Sequence, residues 1–148
     1  MIAIGCDHAA KLLKEKIIAH LKDRGLDVTD CGCFSDESVD YPDYALKAAL
    51  LVARGECEKG ILVCGTGIGM SIAANKVRGI RCAHCTDEFS AAMARQHNNA
   101  NMIALGARIT DNDTALRLVD IFLCTPFSEE IRHAKRVEKI MAIEGSSQ

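Results

Sequence analysis

The sequence predicts an α/β protein with a three-layer α/β/α, Rossmann-like fold around a five-stranded parallel sheet. Five short apolar runs alternate along the chain with longer segments of helical periodicity, and this alternation is typical of a parallel sheet covered by helices. Only 4% of the residues are aromatic and none is Trp, so Ala, Ile, Leu and Val must form most of the core. Such side chains suit strands that are buried on both faces.

The first part of the chain contains two predicted strands and two predicted helices. Ile2–Cys6 is a continuous apolar run, which predicts a buried strand. In Ala9–Arg24 apolar side chains recur every four residues, which predicts a helix, and Leu26–Asp30 is a short predicted strand. Residues 31–42 contain Gly, Ser and Pro and are predicted to form a loop, whereas the alanine-rich segment Asp43–Ala53 is predicted to be helical.

The middle of the chain supplies the other three strands. Gly60–Cys64 is an apolar run, which is followed by a glycine-rich loop and a short helical segment at Ser71–Lys76. Ile80–His84 and Met102–Gly106 are the fourth and fifth predicted strands. Between them lies a predicted helix at Asp87–Gln96, which begins at a Thr-Asp pair suited to capping.

The C-terminal part of the chain is predicted to be helical. Asp113–Leu123 and Glu129–Ile143 are two predicted helices, and Pro126 breaks the chain between them. A chain of 148 residues has the length of a single domain, so residues 1–148 are predicted to form one domain. The tail 145–148 is expected to be frayed.

Composition argues against several classes of function. A net charge of −2 and a pI of about 6.2 disfavour a nucleic-acid-binding domain, which usually carries a basic patch. No apolar run reaches the roughly 18 residues of a membrane span, and the N-terminus lacks the pattern of a signal peptide. The eight cysteines are therefore interpreted as reduced thiols of a cytoplasmic protein.

The most informative segment is Cys64–Ser71, in which a thiol at the end of a strand precedes a loop with three glycines and the start of a helix. Backbone N–H groups in such a loop lack internal partners and bind anions, and glycine lets a ligand approach closely. The same positive field can hold a neighbouring cysteine as thiolate. Cys64 is therefore a candidate base beside a candidate oxyanion cradle, and the alternative is an inert core thiol.

Further candidates follow other strands and helices, because ligands of doubly wound sheets bind at the carboxyl ends of the strands. Asp7 and His8 follow the first strand. Either both face a substrate, or Asp7 caps the next helix and His8 is merely exposed. His97 follows the helix at 87–96, either as a general acid–base or as a cation at a helix end. Arg132 and Arg136 lie four residues apart, which suits either a phosphate between them or a solvated basic face.

The residues alone leave two other functional classes open. The three-glycine loop follows a strand and Asp87 lies about 20 residues on, as in a dinucleotide-binding fingerprint, although Met70 stands where that fingerprint has its third glycine. Cys82–Cys85 has the spacing of a zinc or redox pair, and Cys31–Cys33 offers two more ligands. Alternation along a strand, however, points neighbouring side chains to opposite faces.

Several motifs occur in one order along almost the whole chain. They are Gly5-Cys6-Asp7-His8, Asp40-Tyr41-Pro42, Cys64-Gly65-Thr66-Gly67-Ile68-Gly69, Ser71-Ile72-Ala73-Ala74-Asn75-Lys76, Arg95-Gln96-His97-Asn98, Arg132-His133 and Arg136-Val137. Together they resemble the type B ribose-5-phosphate isomerases, a family that includes allose-6-phosphate and galactose-6-phosphate isomerases. The resemblance implies an aldose–ketose isomerase that needs no metal or other cofactor. It also implies the pair ribose 5-phosphate and ribulose 5-phosphate, in the pentose phosphate pathway.

The same resemblance implies roles for individual residues. Cys64 would move a proton between C1 and C2 through an enediolate, assisted by Thr66, while the oxyanion is held by the amides of Gly65, Gly67, Ile68 and Gly69. The furanose ring would be opened by His97 with Asp7. The other implied contacts are phosphate binding by His8, Arg132 and Arg136, a site-lining Tyr41, and completion of the site from a neighbouring subunit by Asn98 and Arg108.

The resemblance further implies a homodimer or homotetramer with sites at the subunit interface. The helix at about 129–143 would complete the site or the dimer. This chain departs from the family's pattern at Glu129 and Glu130, where two glycines are usual, and at Asn99, where aspartate is common. The two acids bear on phosphate geometry and on the choice between five-carbon and six-carbon sugars.

Overall fold

The sheet has the predicted architecture. The computed structural model describes residues 1–146, and its strands are β1 (Ile2–Cys6), β2 (Val28–Asp30), β3 (Lys59–Cys64), β4 (Cys82–His84) and β5 (Met102–Gly106). Neighbouring strands are parallel and lie in the order β2-β1-β3-β5-β4. The strands with three residues, β2 and β4, form the two edges, so the strand that ends at Cys64 is central.

Helices cover both faces of this sheet, as predicted. They are α1 (Lys11–Asp23), α2 (Tyr41–Ala53), α3 (Ile68–Ala74), α4 (Glu88–Gln96), α5 (Asn112–Cys124) and α6 (Ile131–Ile143), with a 3-10 turn at His8–Ala10. Helices α1, α4 and α5 pack on one face around Ile4 of β1, and α2 and α3 pack on the other face around Ala3. Successive strand residues point to opposite faces, so one short strand serves both cores.

Helix starts account for several differences from the predicted boundaries. Asp7 accepts a hydrogen bond from the N–H of Ala9, which forms a 3-10 turn, so α1 begins at Lys11 and not at Ala9. Helix α2 begins at Tyr41 and not at Asp43, because Pro42 fits the first turn, where its missing N–H has no helical partner. The predicted strands at 26–30 and 80–84 are each shortened at their N-terminal end to three residues.

Two further helix starts bear directly on the candidate site. Helix α3 begins at Ile68 and not at Ser71, so the glycine loop is shorter than predicted. Helix α6 begins at Ile131 and not at Glu129, because Glu129 has a φ of 56°, which a right-handed helix excludes. The predicted fraying of residues 145–148 falls partly on positions 147 and 148, which lie outside the described residues.

The last helix is only lightly attached to the sheet. His133 is the one buried residue of α6, whereas Ile131 is 87% exposed and Ile143 is 62% exposed. Across residues 1–146, no helix has the length and apolar character needed to cross a membrane.

Candidate active site

A cavity of about 490 Å³ lies at the carboxyl ends of β1 and β3. It is lined by Asp7, Ala9, Tyr41, Cys64, Gly65, Thr66, Ile68, Gly69, Ile72 and Arg108. All of these except Ala9 and Ile72 were predicted from the sequence as site residues. The cavity therefore brings together the loop after β3 and the first turn after β1, as expected for a doubly wound sheet.

Cys64 ends β3 and lines this cavity, although the residue is only 5% exposed. The N–H of Gly67 donates a hydrogen bond to Sγ across 3.0 Å. Gly67 reaches this position with a φ of 81°, a conformation that favours glycine. A hydrogen bond to sulfur stabilises the thiolate form, which is the form that acts as base or nucleophile.

Four other core thiols have raised pKa values. Burial raises the pKa of Cys6 to about 11 and also raises the pKa of Cys31, Cys82 and Cys85. These thiols stay protonated near neutral pH, whereas reactive cysteines are thiolates. In the part of the chain that the structure describes, no three His, Cys, Asp or Glu side chains converge on a possible metal position.

The amides of the glycine loop divide into two groups. Gly67 donates to Cys64, and the N–H of Ile68 donates to Oγ1 of Thr66 over a long 3.4 Å. These two expected oxyanion donors are therefore engaged within the chain. The N–H groups of Gly65, Thr66 and Gly69 have no acceptor within residues 1–146 and are free to hold an anion.

Asp7 and Tyr41 close two sides of the cavity. The carboxylate of Asp7 accepts the N–H of Ala9 at 3.0 Å and also lines the cavity, so it caps the turn and faces the ligand space. A side chain on Gly69 would place its Cβ 2.6 Å from the ring of Tyr41. The glycine therefore lets the ring lie directly against the loop.

His8 and Arg108 flank this arrangement in different ways. Nδ1 of His8 accepts the N–H of Val39 at 3.2 Å, so a neutral ring carries its proton on Nε2, but His8 does not line the cavity. The N–H of Arg108 donates to the carbonyl of Gly65 at 3.0 Å. Arg108, which the resemblance placed at a neighbouring subunit's site, thus lines the cavity of its own chain.

Four predicted site residues lie elsewhere on the chain. The rings of His97 and His133 stack with centroids 4.2 Å apart, and Nδ1 of His133 lies 2.7 Å from the hydroxyl of Ser128. Near them, Nε of Arg132 donates to the carboxylate of Glu130 at 2.7 Å. Arg136 is exposed on the same helix, and Asn98 lines a second cavity beneath α6. These four residues do not reach the Cys64 cavity of their own chain.

Outside the Cys64 cavity lies a second cluster, which consists of His97, Glu130, Arg132, His133 and Arg136. Two of its titratable groups have shifted pKa values. The hydrogen bond from Arg132 lowers the pKa of Glu130, so this carboxylate stays ionised and paired at neutral pH. Burial lowers the pKa of His133, and the neighbouring His97 and Arg132 add to that effect. A neutral His133 therefore anchors α6 at neutral pH.

The sequence assigns no site role to one residue that contacts the Cys64 loop. Nε2 of His84, at the end of β4, lies 2.8 Å from the carbonyl oxygen of Thr66. The sequence signals were its position at a strand end and its place within Cys82–Cys85, and neither predicts a contact with the Cys64 loop.

The chain is similar to known proteins along almost its whole length. A family model described as Ribose/Galactose Isomerase matches residues 2–140. Ribose-5-phosphate isomerase B of Escherichia coli K12 is 50% identical over 143 residues, which cover 97% of this chain and 95% of that protein. The structure of ribose-5-phosphate isomerase B from Clostridium thermocellum has a TM-score of 0.95 at 53% identity and covers 97% of both chains. The structure of ribose-5-phosphate isomerase B from Mycoplasma genitalium with bound ribulose-5-phosphate has a TM-score of 0.95 at 39% identity. The match covers 99% of this chain and 97% of the Mycoplasma chain.

The lowered pKa of His133 predicts a pH-dependent stability. Its pKa in the folded chain lies below the ordinary value of 6.5, so the unfolded chain takes up the proton first as the pH falls. The stability contributed by neutral His133 is therefore present above about pH 6.5 and is lost progressively below it. Denaturant unfolding of the wild type and His133→Gln across this range measures the effect. The difference in unfolding free energy should shrink on acidification, and a constant difference would contradict the prediction.

Proposed function

The chain belongs to the ribose/galactose isomerase family, and we propose that it interconverts ribose 5-phosphate and ribulose 5-phosphate with Cys64 as the base. The family resemblance drawn from the sequence motifs is thereby confirmed. The observation that carries the assignment of the base is the sulfur of Cys64, which lines the cavity and accepts the N–H of Gly67 at 3.0 Å. A thiolate held in this way beside unpaired amides suits proton abstraction next to a carbonyl.

The proposed reaction moves one proton between adjacent carbons. The Cys64 thiolate removes the proton from C2 of the open-chain aldose, and the electron pair forms the C1–C2 double bond of an enediolate. The free N–H groups of Gly65, Thr66 and Gly69 hold the oxyanion that develops on the former carbonyl oxygen. The proton of the C2 hydroxyl then moves to the oxygen on C1, so that the carbonyl forms at C2, and return of the proton from the thiol to C1 completes the ketose. The hydroxyl of Thr66 accepts from Ile68, so its own proton is free to donate to a substrate oxygen.

Ring opening and phosphate binding are proposed to use the second cluster of a partner subunit. His97, Arg132 and Arg136 are absent from the Cys64 cavity of their own chain, whereas Asp7 lines it. We propose a homodimer or larger homo-oligomer in which His97 of one subunit works with Asp7 of another. The exposed isoleucines of α6, including Ile131 and Ile143, support burial of this helix against a partner.

A cytoplasmic location is part of the same proposal. All eight cysteines of the chain are free thiols in the structure. Free thiols persist in a reducing compartment, where disulfides are rare. Seven of the eight are buried and Cys124 is exposed.

Replacing Cys64 tests the base. For Cys64→Ala and Cys64→Ser we expect kcat for ribose 5-phosphate to fall about 10³-fold, because general-base catalysis contributes on that order. The assay follows ribulose 5-phosphate formation with and without a chelator, while circular dichroism checks the fold. Cys124→Ser, which changes an exposed thiol, is the control and should keep full activity. Near-normal turnover by Cys64→Ala would show that another group is the base.

Mixing two inactive variants tests the shared site. If each site combines Cys64 of one subunit with His97 of the other, hybrids of Cys64→Ala and His97→Ala contain one intact site. Random exchange between dimers should then restore about a quarter of the wild-type sites, since half of the dimers are hybrids with one active site each. The measurement is activity after co-refolding, with separately refolded variants as control. Hybrids that regain no activity would place both residues in one subunit's site.

Glu130 is expected to weaken phosphate binding by Arg132. The carboxylate of Glu130 accepts a hydrogen bond from Nε of Arg132 and offsets the positive charge of the guanidinium. Because both groups are exposed, Glu130→Gln should lower KM for ribose 5-phosphate by about two- to fivefold, the effect of a surface ion pair. Glu129→Gln, the adjacent acid with no hydrogen bond to Arg132, is the matched control. An unchanged or higher KM for Glu130→Gln would contradict this role, and parallel assays with allose 6-phosphate would show whether sugar choice changes.

A further inference from the structure

We propose that His84 is a positioning residue that aims the N–H of Gly67 at the sulfur of Cys64. It does so by holding the carbonyl oxygen of Thr66, which belongs to the same peptide group as that N–H. The inference rests on the proposed role of Cys64 as base. His84 does not line the cavity, so it acts through the loop and not on the substrate.

One rigid peptide unit connects the two hydrogen bonds. Nε2 of His84 lies 2.8 Å from the oxygen of Thr66, and the nitrogen of Gly67 lies 3.0 Å from Sγ of Cys64. A carbonyl oxygen can only accept, so Nε2 must carry the hydrogen. In a planar trans peptide the C=O and N–H bonds point in opposite directions. Anchoring the oxygen on one side therefore directs the N–H to the other side, where the sulfur lies.

The loop backbone alone does not determine this direction. Gly67 has a φ of 81° and no side chain, so the peptide before it can rotate more freely than one next to any other residue. A Cβ on Gly67 would lie 2.8 Å from Cδ2 of His84, which shows how closely the ring packs on the loop. The imidazole thus supplies both the hydrogen bond and the surface that hold the peptide in one orientation.

The topology of the sheet makes this contact possible. His84 ends β4, an edge strand, and pairs with Ala104 of β5, whereas Cys64 ends β3 on the other side of β5. The loop must cross the end of β5 to reach His84. It passes directly over Gly106, where a Cβ would lie 2.6 Å from the oxygen of Thr66. A glycine at this strand end therefore leaves room for the loop.

Two substitutions of His84 distinguish the effect of its hydrogen bond from the effect of the packing of its ring. His84→Leu keeps a side chain of similar size but removes the donor, whereas His84→Gln keeps an N–H at the corresponding position. The first readout is the rate of Cys64 alkylation by iodoacetamide against pH, in a Cys124→Ser background that removes the exposed thiol. The second is kcat and KM for ribose 5-phosphate.

The donor role predicts different outcomes for the two variants. In His84→Leu, alkylation of Cys64 at neutral pH and kcat should each fall about five- to tenfold, the effect of weakening one hydrogen bond to a charged group. The pH of half-maximal alkylation should move upward and KM should change little, because the loop still lines the cavity. In His84→Gln, both rates should stay within about twofold of wild type.

Other results would overturn the proposal. Unchanged alkylation and kcat in His84→Leu would show that the peptide keeps its orientation without the donor. Equal impairment in His84→Gln and His84→Leu would show that only the ring's packing matters. If His84→Leu does not fold, His84→Asn, whose side chain is too short to reach the carbonyl, provides the same comparison. Alkylation reports on the thiol even if Cys64→Ala keeps its activity, so failure of the base assignment is distinguishable from failure of this inference.

Discussion

The hydrogen bond from the N–H of Gly67 to the sulfur of Cys64 is the interaction on which the candidate site depends. It requires a cysteine at the end of a central strand, a residue with positive φ three positions later, and a loop that turns back within those positions. The sheet meets the first requirement, because β3 lies between β1 and β5 and its carboxyl end opens into the cavity. Glycine meets the second, since other residues rarely adopt that conformation. The unpaired amides that follow are a consequence of the same tight turn.

The local surroundings of Cys64 differ from those of Cys6 and Cys82. Cys6 ends the neighbouring strand β1, yet its side chain lies in the core, where burial raises its pKa to about 11. Cys82 lies at the start of β4 and is buried against the opposite core, so its pKa is also raised. Cys64 is buried to a similar degree, but its sulfur accepts a backbone N–H and the residue lines a cavity. The direction of one side chain and one local donor thus decide which thiol is suited to act as a base.

The sequence predicts most of the fold and the local part of the site, for a physical reason. Apolar periodicity indicates burial, so it predicts all five strands. It does not predict the starts of α2 and α6. The start of α2 depends on Pro42, which fits a first helical turn, and the start of α6 depends on the positive φ of Glu129. The Cys64 loop was predictable because its partners lie within a few residues. The contact between His84 and Thr66 joins segments 18 residues apart, and it follows from the strand order, which periodicity does not reveal.

The second cluster lies outside the Cys64 cavity of its own chain. His97 and Arg132 carry the residue types that the proposed reaction needs for ring opening and phosphate binding, yet they lie on α4's end and on α6, outside the Cys64 cavity. Near its start, helix α6 contacts its own chain through His133, whose ring lies against His97, while Ile131 and Ile143 stay exposed. Under the proposed function, one stacked pair would therefore both anchor the helix and orient the ring-opening histidine. Assembly and catalysis would then depend on the same contact, since movement of α6 would displace the cations and the acid–base group together.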